Sequence, residues 1–169
     1  MLRFLFAILL CLSFLSGCGG QEFIGHKPVT PAKVQKIEWR EHSNTAFLAS
    51  QNTNKPALLY FSLKGCSGCK LMAAETLSDP AVAYIINENF IPVSINFDQD
   101  LLEKYKVEDF PTVLILSSAD RSEIVRVGKA MSSAELIPYL RVALRINSLT
   151  TMTNILDMLN VGDLDYGPL

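Results

Sequence analysis

The sequence lacks a charge excess of either sign and has little histidine. Its 15 lysine and arginine residues stand against 17 aspartate and glutamate residues, a formal net charge of −2 in 169 residues. Nucleic-acid binding needs a concentrated basic surface, so this balance argues against a nucleic-acid partner. The only two histidines in the sequence are His26 and His42, so no histidine follows residue 69. The length suffices for one domain with a full hydrophobic core.

The N-terminal apolar run is too short for a comfortable membrane span. It extends from Phe4 to Leu15, about a dozen residues, whereas a transmembrane helix needs about 20. Arg3 precedes this run and two small residues follow it, a pattern that predicts a secretory signal. The segment Leu15 to Cys18 resembles a bacterial lipobox, which implies cleavage before Cys18 and acylation of its thiol.

These features predict residues 1–17 as a lipoprotein signal peptide and residues 18–36 as a lipidated tether without clear periodicity. Several acyl chains give stable membrane anchoring. Gly19, rather than aspartate, follows Cys18, and the resemblance to the Gram-negative sorting pattern then favours the outer membrane. We expect a periplasm-facing, lipid-anchored protein of the bacterial envelope, where disulfides persist. A plain cleaved signal or an uncleaved anchor is the alternative.

Four cysteines are present, and their positions divide them into two groups. Cys11 lies inside the apolar run, and Cys18 ends the lipobox. Cys66 and Cys69 remain, separated by Ser67 and Gly68. Two thiols at this spacing can close into a small disulfide ring and open again, and each has the other as its remaining partner.

The apolar pattern along the rest of the chain predicts alternating helices and strands. Between residues 37 and 147 the order is helix, strand, helix, strand, helix, strand, strand and helix, with a break at Pro80. This order predicts an α/β fold with a central mixed β-sheet flanked by helices. Residues 148–169 form a tail that either folds into a short extra helix or docks loosely. The predicted helices are 39–51, 69–77, 81–89, 101–105 and 132–145, and the strands are 57–61, 90–96, 112–116 and 123–127.

A buried strand, a Cys-x-x-Cys that opens a helix and a distal Phe110-Pro111-Thr112 before another strand resemble the thioredoxin fold. The stretches Cys69 through Pro80 and Lys106 through Thr112 are similar to the C-terminal domain of DsbD, the membrane disulfide reductase, and to small periplasmic thioredoxin-like proteins. The resemblance covers about residues 36–145. It implies a protein thiol–disulfide oxidoreductase without a cofactor, with the reductive direction favoured. The implied partners are protein disulfides or dithiols and a membrane electron donor of the DsbD type, and the chain is expected to be a monomer.

The resemblance also assigns roles to residues. Cys66 is the attacking thiol at a helix N-terminus, where its pKa should fall below the value of about 8.5 for a free thiol. Cys69 is the resolving thiol. Pro111 is expected to be a cis proline, which together with Phe110 and Gly65 would hold an extended substrate segment.

Two positions depart from the usual thioredoxin pattern. Tyr60 stands where a buried carboxylate is usual, and Gly65 stands where tryptophan usually precedes the first cysteine. Tyrosine is a poor base at neutral pH, so we interpret Tyr60 as a core residue. Glu75, the nearest acid on the following helix, is interpreted as solvated.

Two other functions compete with redox chemistry. A lone Cys-x-x-Cys supplies two ligands where structural zinc takes four, and copper-delivery proteins of this fold use a longer spacing and a distal histidine, so no metal is expected. The second is a non-enzymatic envelope binding module, in which the Cys66–Cys69 bridge is permanent. Such a bridge closes a very small loop and gains little entropy.

Overall fold

The computed structural model describes residues 36–41 and 43–161, which form a four-stranded mixed sheet with helices on both faces. The strand order is β2-β1-β3-β4; β1 runs parallel to β2 and antiparallel to β3, and β3 runs antiparallel to β4. The predicted fold class is confirmed. The elements in chain order are α1 Ser43–Thr53, β1 Ala57–Ser62, α2 Ser67–Leu71, a π-helical turn Met72–Thr76, α3 Pro80–Asn89, β2 Ile91–Asn96, α4 Gln99–Tyr105, β3 Thr112–Leu116, β4 Glu123–Val127 and α5 Ser133–Val161.

The central strands β1 and β3 are almost wholly buried, as expected of strands covered by helices on both faces. Their side chains alternate between two apolar layers. Leu58, Tyr60 and Ile115 pack in the layer that contains residues of α3 and α5. Leu59 and Phe61 pack in the opposite layer, which contains residues of α1. The sheet therefore separates two apolar cores. The loop that carries the cysteines follows the end of β1, the strand that contributes to both cores.

The predicted helix at residues 39–51 is wrong at its start. The helix begins at Ser43, and Arg40 instead forms a parallel bridge with Val93 of β2. The backbone N–H of Arg40 donates to Pro92, and the N–H of Ser94 donates to Arg40, both at 3.0 Å. This pairing satisfies backbone groups on the outer edge of β2, which would otherwise stay open.

The last helix is longer than the sequence pattern predicts, because α5 continues from residue 145 to Val161 without a break. Buried Asn147 anchors the turn just past residue 145, since its side-chain carbonyl accepts the N–H of Ser118 at 2.8 Å and its amide donates to Asn54 at 3.0 Å. The tail therefore continues this helix and forms no separate one, at least to residue 161. No helix in the described part of the chain is long and apolar enough to cross a membrane.

The start of α3 offers a test of stability against pH. The carboxylate of Asp79 accepts the N–H of Ala81 at 2.8 Å and of Val82 at 3.4 Å, and it also accepts a hydrogen bond from Ser133. These bonds, the one from Ser133 first, hold the pKa of Asp79 below its usual 3.8. A carboxyl with a lowered folded pKa stabilises the fold above its unfolded pKa, and this stabilisation is lost as the pH falls through the folded value.

We therefore expect Asp79→Ala to lower the free energy of unfolding by about 1 kcal/mol at pH 7 and by less near pH 3. The matched control is Asp79→Asn, which can still cap the helix but does not titrate. Urea unfolding at the two pH values measures both effects. An alanine variant with the same deficit at both pH values would show that the charge of the carboxylate contributes nothing.

Candidate active site

The two cysteines lie directly after β1, where the chain turns into α2. The structure joins Cys66 and Cys69 by a disulfide with 5.3 Å between their Cα atoms. Cys66 is the N-cap of α2, and its sulfur accepts the backbone N–H of Cys69 at 2.9 Å. Cys66 is half-buried, whereas Cys69 is only 6% exposed. One sulfur therefore meets solvent while the other lies behind it.

The distal proline lies against this turn. The Phe110–Pro111 peptide bond is cis, which confirms the expectation from the sequence. A methyl group placed on Gly68 would lie 3.2 Å from Cδ of Pro111 and 3.6 Å from Cβ of Ala130. The structure thus brings the Cys-x-x-Cys segment and the proline loop together, as the resemblance implied. The sequence did not predict that Gly68 lies close to Pro111 and Ala130. The one signal for this close approach was the lack of a side chain at Gly68.

Gly65 explains one departure from the usual pattern. Its φ of +90° lies in a region that side-chain-bearing residues rarely adopt, so a tryptophan in this backbone conformation would be strained. A Cβ at this position would meet no atom within 4 Å. Gly65 lines a cavity of about 560 Å³ together with both cysteines and exposed Lys64.

Tyr60 occupies the place of the usual buried carboxylate, and the structure confirms its packing in the core. Its ring centroid lies 5.7 Å from that of Trp39, and its hydroxyl donates to the carbonyl of Cys69 at 3.3 Å. Burial raises the pKa of Tyr60 above its ordinary value of 10.0. The hydroxyl is therefore a neutral donor at pH 7 and no proton acceptor for Cys69. Glu75 is exposed in the π-helical turn.

Several residues of the sequence predictions lie outside the described part of the chain. These are Cys11, the lipidation candidate Cys18, and both histidines, His26 and His42. Within the described residues, no group of three His, Cys, Asp or Glu side chains is placed to hold a metal ion.

Comparisons with known proteins agree with this geometry. The model of a family described as "Thioredox_DsbH: Protein of unknown function, DUF255" matches residues 29–108. The thiol:disulfide interchange protein DsbD of Photorhabdus laumondii is 29% identical over 119 residues, which are 66% of this chain and 21% of that protein. Two other curated relatives are much longer than this chain, and the matched segments make up 9% of the length of one and 8% of the other.

Solved structures show the same fold. A structure described as "DsbH Oxidoreductase" superimposes with a TM-score of 0.62 at 19% identity, over 71% of this chain and 92% of that one. The oxidised C-terminal domain of DsbD from Neisseria meningitidis superimposes with a TM-score of 0.51 at 26% identity, over 58% and 89%. The fold and the Cys-x-x-Cys pair are consistent with a thiol–disulfide oxidoreductase domain. The chain has the thioredoxin-like fold and is similar in sequence to DsbD.

Proposed function

We propose that this chain is a protein thiol–disulfide oxidoreductase of the bacterial envelope that works mainly in the reductive direction. The observation that carries the proposal is the asymmetry of the cysteine pair. Cys66 is half-buried and lines a cavity, Cys69 is buried, and Gly68 between them lies against the cis proline Pro111. Attack by one thiol and resolution by the other need this arrangement.

The reaction begins with the thiolate of Cys66. The Cys69 N–H that donates to its sulfur lies in the first turn of α2, and hydrogen bonding to a thiolate lowers its pKa. The thiolate attacks a substrate disulfide, so that a mixed disulfide forms and one substrate thiolate leaves. Cys69, once deprotonated, attacks the sulfur of Cys66 and releases the second substrate thiolate. The protein dithiol thus gives two electrons to the substrate disulfide and becomes the Cys66–Cys69 disulfide.

Deprotonation of Cys69 takes a different route from that of thioredoxins with a buried carboxylate. Tyr60 is neutral at that place, but Cys69 also lines the cavity of about 560 Å³. This cavity is open and large enough to admit water, and Ser62, Ser94 and Asn96 supply polar groups to its mainly apolar lining. Solvent that enters the cavity is then the proton acceptor in the resolving step.

The envelope location rests on the N-terminal sequence and on the relatives. A signal at residues 1–17 and acylation of Cys18 would place the domain on a membrane facing the periplasm, with the outer membrane favoured. DsbD and DsbH-like relatives support protein thiols or redox partners as substrates. Once oxidised, the chain needs a reductant, for which a membrane electron donor of the DsbD type is our proposal.

The reduction potential of the Cys66–Cys69 pair tests the direction of the reaction. Equilibration of the full-length protein with dithiothreitol or glutathione buffers, followed by alkylation and mass spectrometry, measures it. We expect a value near −270 mV, as for thioredoxin, because the proposed reaction is reductive. A value near −120 mV would make the protein an oxidant, and a bridge that resists reduction below about −300 mV would make it a structural disulfide in a binding module.

A further inference from the structure

A depression extends from the disulfide, and neither Phe110 nor Pro111 lines it. Its first part is the cavity of about 560 Å³ that both cysteines line, and its second part is a cavity of about 320 Å³ that ends at Trp39. Tyr60, Ala73 and Ser94 line both cavities, so the two cavities adjoin and together make up one depression. We call this depression the lysine groove, because three lysines line it.

The charge of the lysine groove is of one sign. Lys64 and Lys70 line the part beside the cysteines, and Lys36 lines the far part; all three are exposed. No carboxylate lines either cavity. Across residues 36–41 and 43–161, the single ion pair joins Arg126 to Glu123, so these three ammonium groups have no acidic partner there. The groove therefore presents uncompensated positive charge next to the reacting sulfur.

The other flank of the cysteines has a different charge pattern. Glu108 and Asp109 precede Phe110 and are exposed, while Lys129 lies next to Ala130. The charges beside the proline loop are thus mixed, with acids adjacent to Phe110. A partner with carboxylates on one side of its reacting disulfide would be attracted to the lysine groove and repelled by these two acids.

We propose that the lysine groove binds an acidic segment of the polypeptide that Cys66 attacks. The inference rests on the proposed oxidoreductase function and adds the chemistry by which a substrate is selected. The two adjoining cavities extend from the disulfide to Trp39, which suits an extended chain. The substrate segment on the other side of the attacked cysteine then lies along Phe110 and Pro111. The charges on the two flanks therefore set the direction in which the substrate chain crosses the site.

Three synthetic peptides of equal length test this proposal. Each carries one internal disulfide whose reduction separates a fluorophore from a quencher. One has three glutamates before the disulfide, one has three glutamates after it, and one has glutamines at all these positions. The pre-reduced full-length protein is mixed with each peptide, and the single-turnover rate constant is measured at low and at high salt.

We expect one acidic peptide to be reduced about fivefold faster than the glutamine peptide at low salt, and the other acidic peptide to gain little. High salt should remove the preference. The variant K64E/K70E should abolish it, whereas R141E/R145E, with the same change in net charge on exposed positions of α5, should keep it. The ratio of rates between peptides cancels any change in the reactivity of Cys66 itself.

Equal rates for all three peptides would overturn the proposal. It would also be overturned if both acidic peptides were reduced faster than the glutamine peptide by the same factor, and if K64E/K70E and R141E/R145E both removed this advantage to the same extent. Anisotropy of the same peptides, labelled and mixed with the oxidised protein, separates this proposal from the redox function. If no peptide is reduced, the oxidoreductase function fails. Selective binding of one acidic peptide that depends on Lys64 and Lys70 would still support the groove, and equal binding of all three would reject it.

Discussion

Replacing Cys66 by serine is expected to lower the rate of insulin disulfide reduction by about a thousandfold or more, because a hydroxyl does not replace a thiolate in attack on a disulfide. Replacing Cys69 is expected to do something different. With Cys66 intact and half-exposed, the first attack still occurs, but no second thiol completes the reaction. The Cys69→Ser variant should therefore accumulate a mixed disulfide with its substrate, visible on non-reducing gels and by mass spectrometry.

The matched control for both variants is Ser67→Ala, which changes an exposed residue between the cysteines and removes no thiol. It should reduce insulin at nearly the wild-type rate. Wild-type activity in both cysteine variants would sink the enzymatic interpretation and favour a structural bridge. The Cys66→Ser variant should form a mixed disulfide through Cys69 much more slowly than the Cys69→Ser variant forms one through Cys66. Equal rates of mixed-disulfide formation would contradict the assignment of attacking and resolving thiols.

Much of this fold could be predicted from local patterns. The central strands β1 and β3 are short apolar runs buried on both faces, and such runs stand out from amphipathic helices. The cysteine spacing predicted the pair that the structure joins by a disulfide, and the resemblance to thioredoxins predicted the cis bond before Pro111. Each of these features depends on residues close together in the chain or on a motif shared with relatives.

The features that the sequence did not reveal depend on contacts between distant residues. The bridge from Arg40 to Val93 replaces a helical turn because β2 has an open edge, which no pattern around Arg40 records. The turn of α5 past residue 145 is anchored by Asn147, whose partners are 29 and 93 residues away. Apolar Leu48 in α1 is 59% exposed, because Ala46 and Phe47 supply the face of the helix that meets the sheet.

Tyr60→Asp, which places a carboxylate where thioredoxins usually have one, is expected to destabilise this protein strongly. Loss of the ring, which is 6% exposed and packed against Trp39, should cost about 3 to 5 kcal/mol of unfolding free energy, as for other large aromatic truncations in cores. Burial should raise the pKa of the new carboxyl. A group with a raised folded pKa stabilises the fold below its unfolded pKa, near 3.9, and this stability is lost as the pH rises through the folded value. The deficit should therefore be larger at pH 7 than at pH 4.

Tyr60→Phe is the control, since it keeps the ring and loses only the hydroxyl that donates to Cys69 at 3.3 Å. We expect it to cost about 1 kcal/mol, measured by urea unfolding at both pH values, and to leave insulin reduction within about twofold of the wild type. Unchanged activity would follow from a neutral Tyr60 that takes no proton from Cys69, because solvent in the adjoining cavity serves instead. A large loss of activity in the phenylalanine variant would assign the hydroxyl a role in resolving the mixed disulfide.

An aspartate variant equally stable at pH 4 and pH 7 would show that the cavity hydrates the carboxylate, so that its charge is not desolvated.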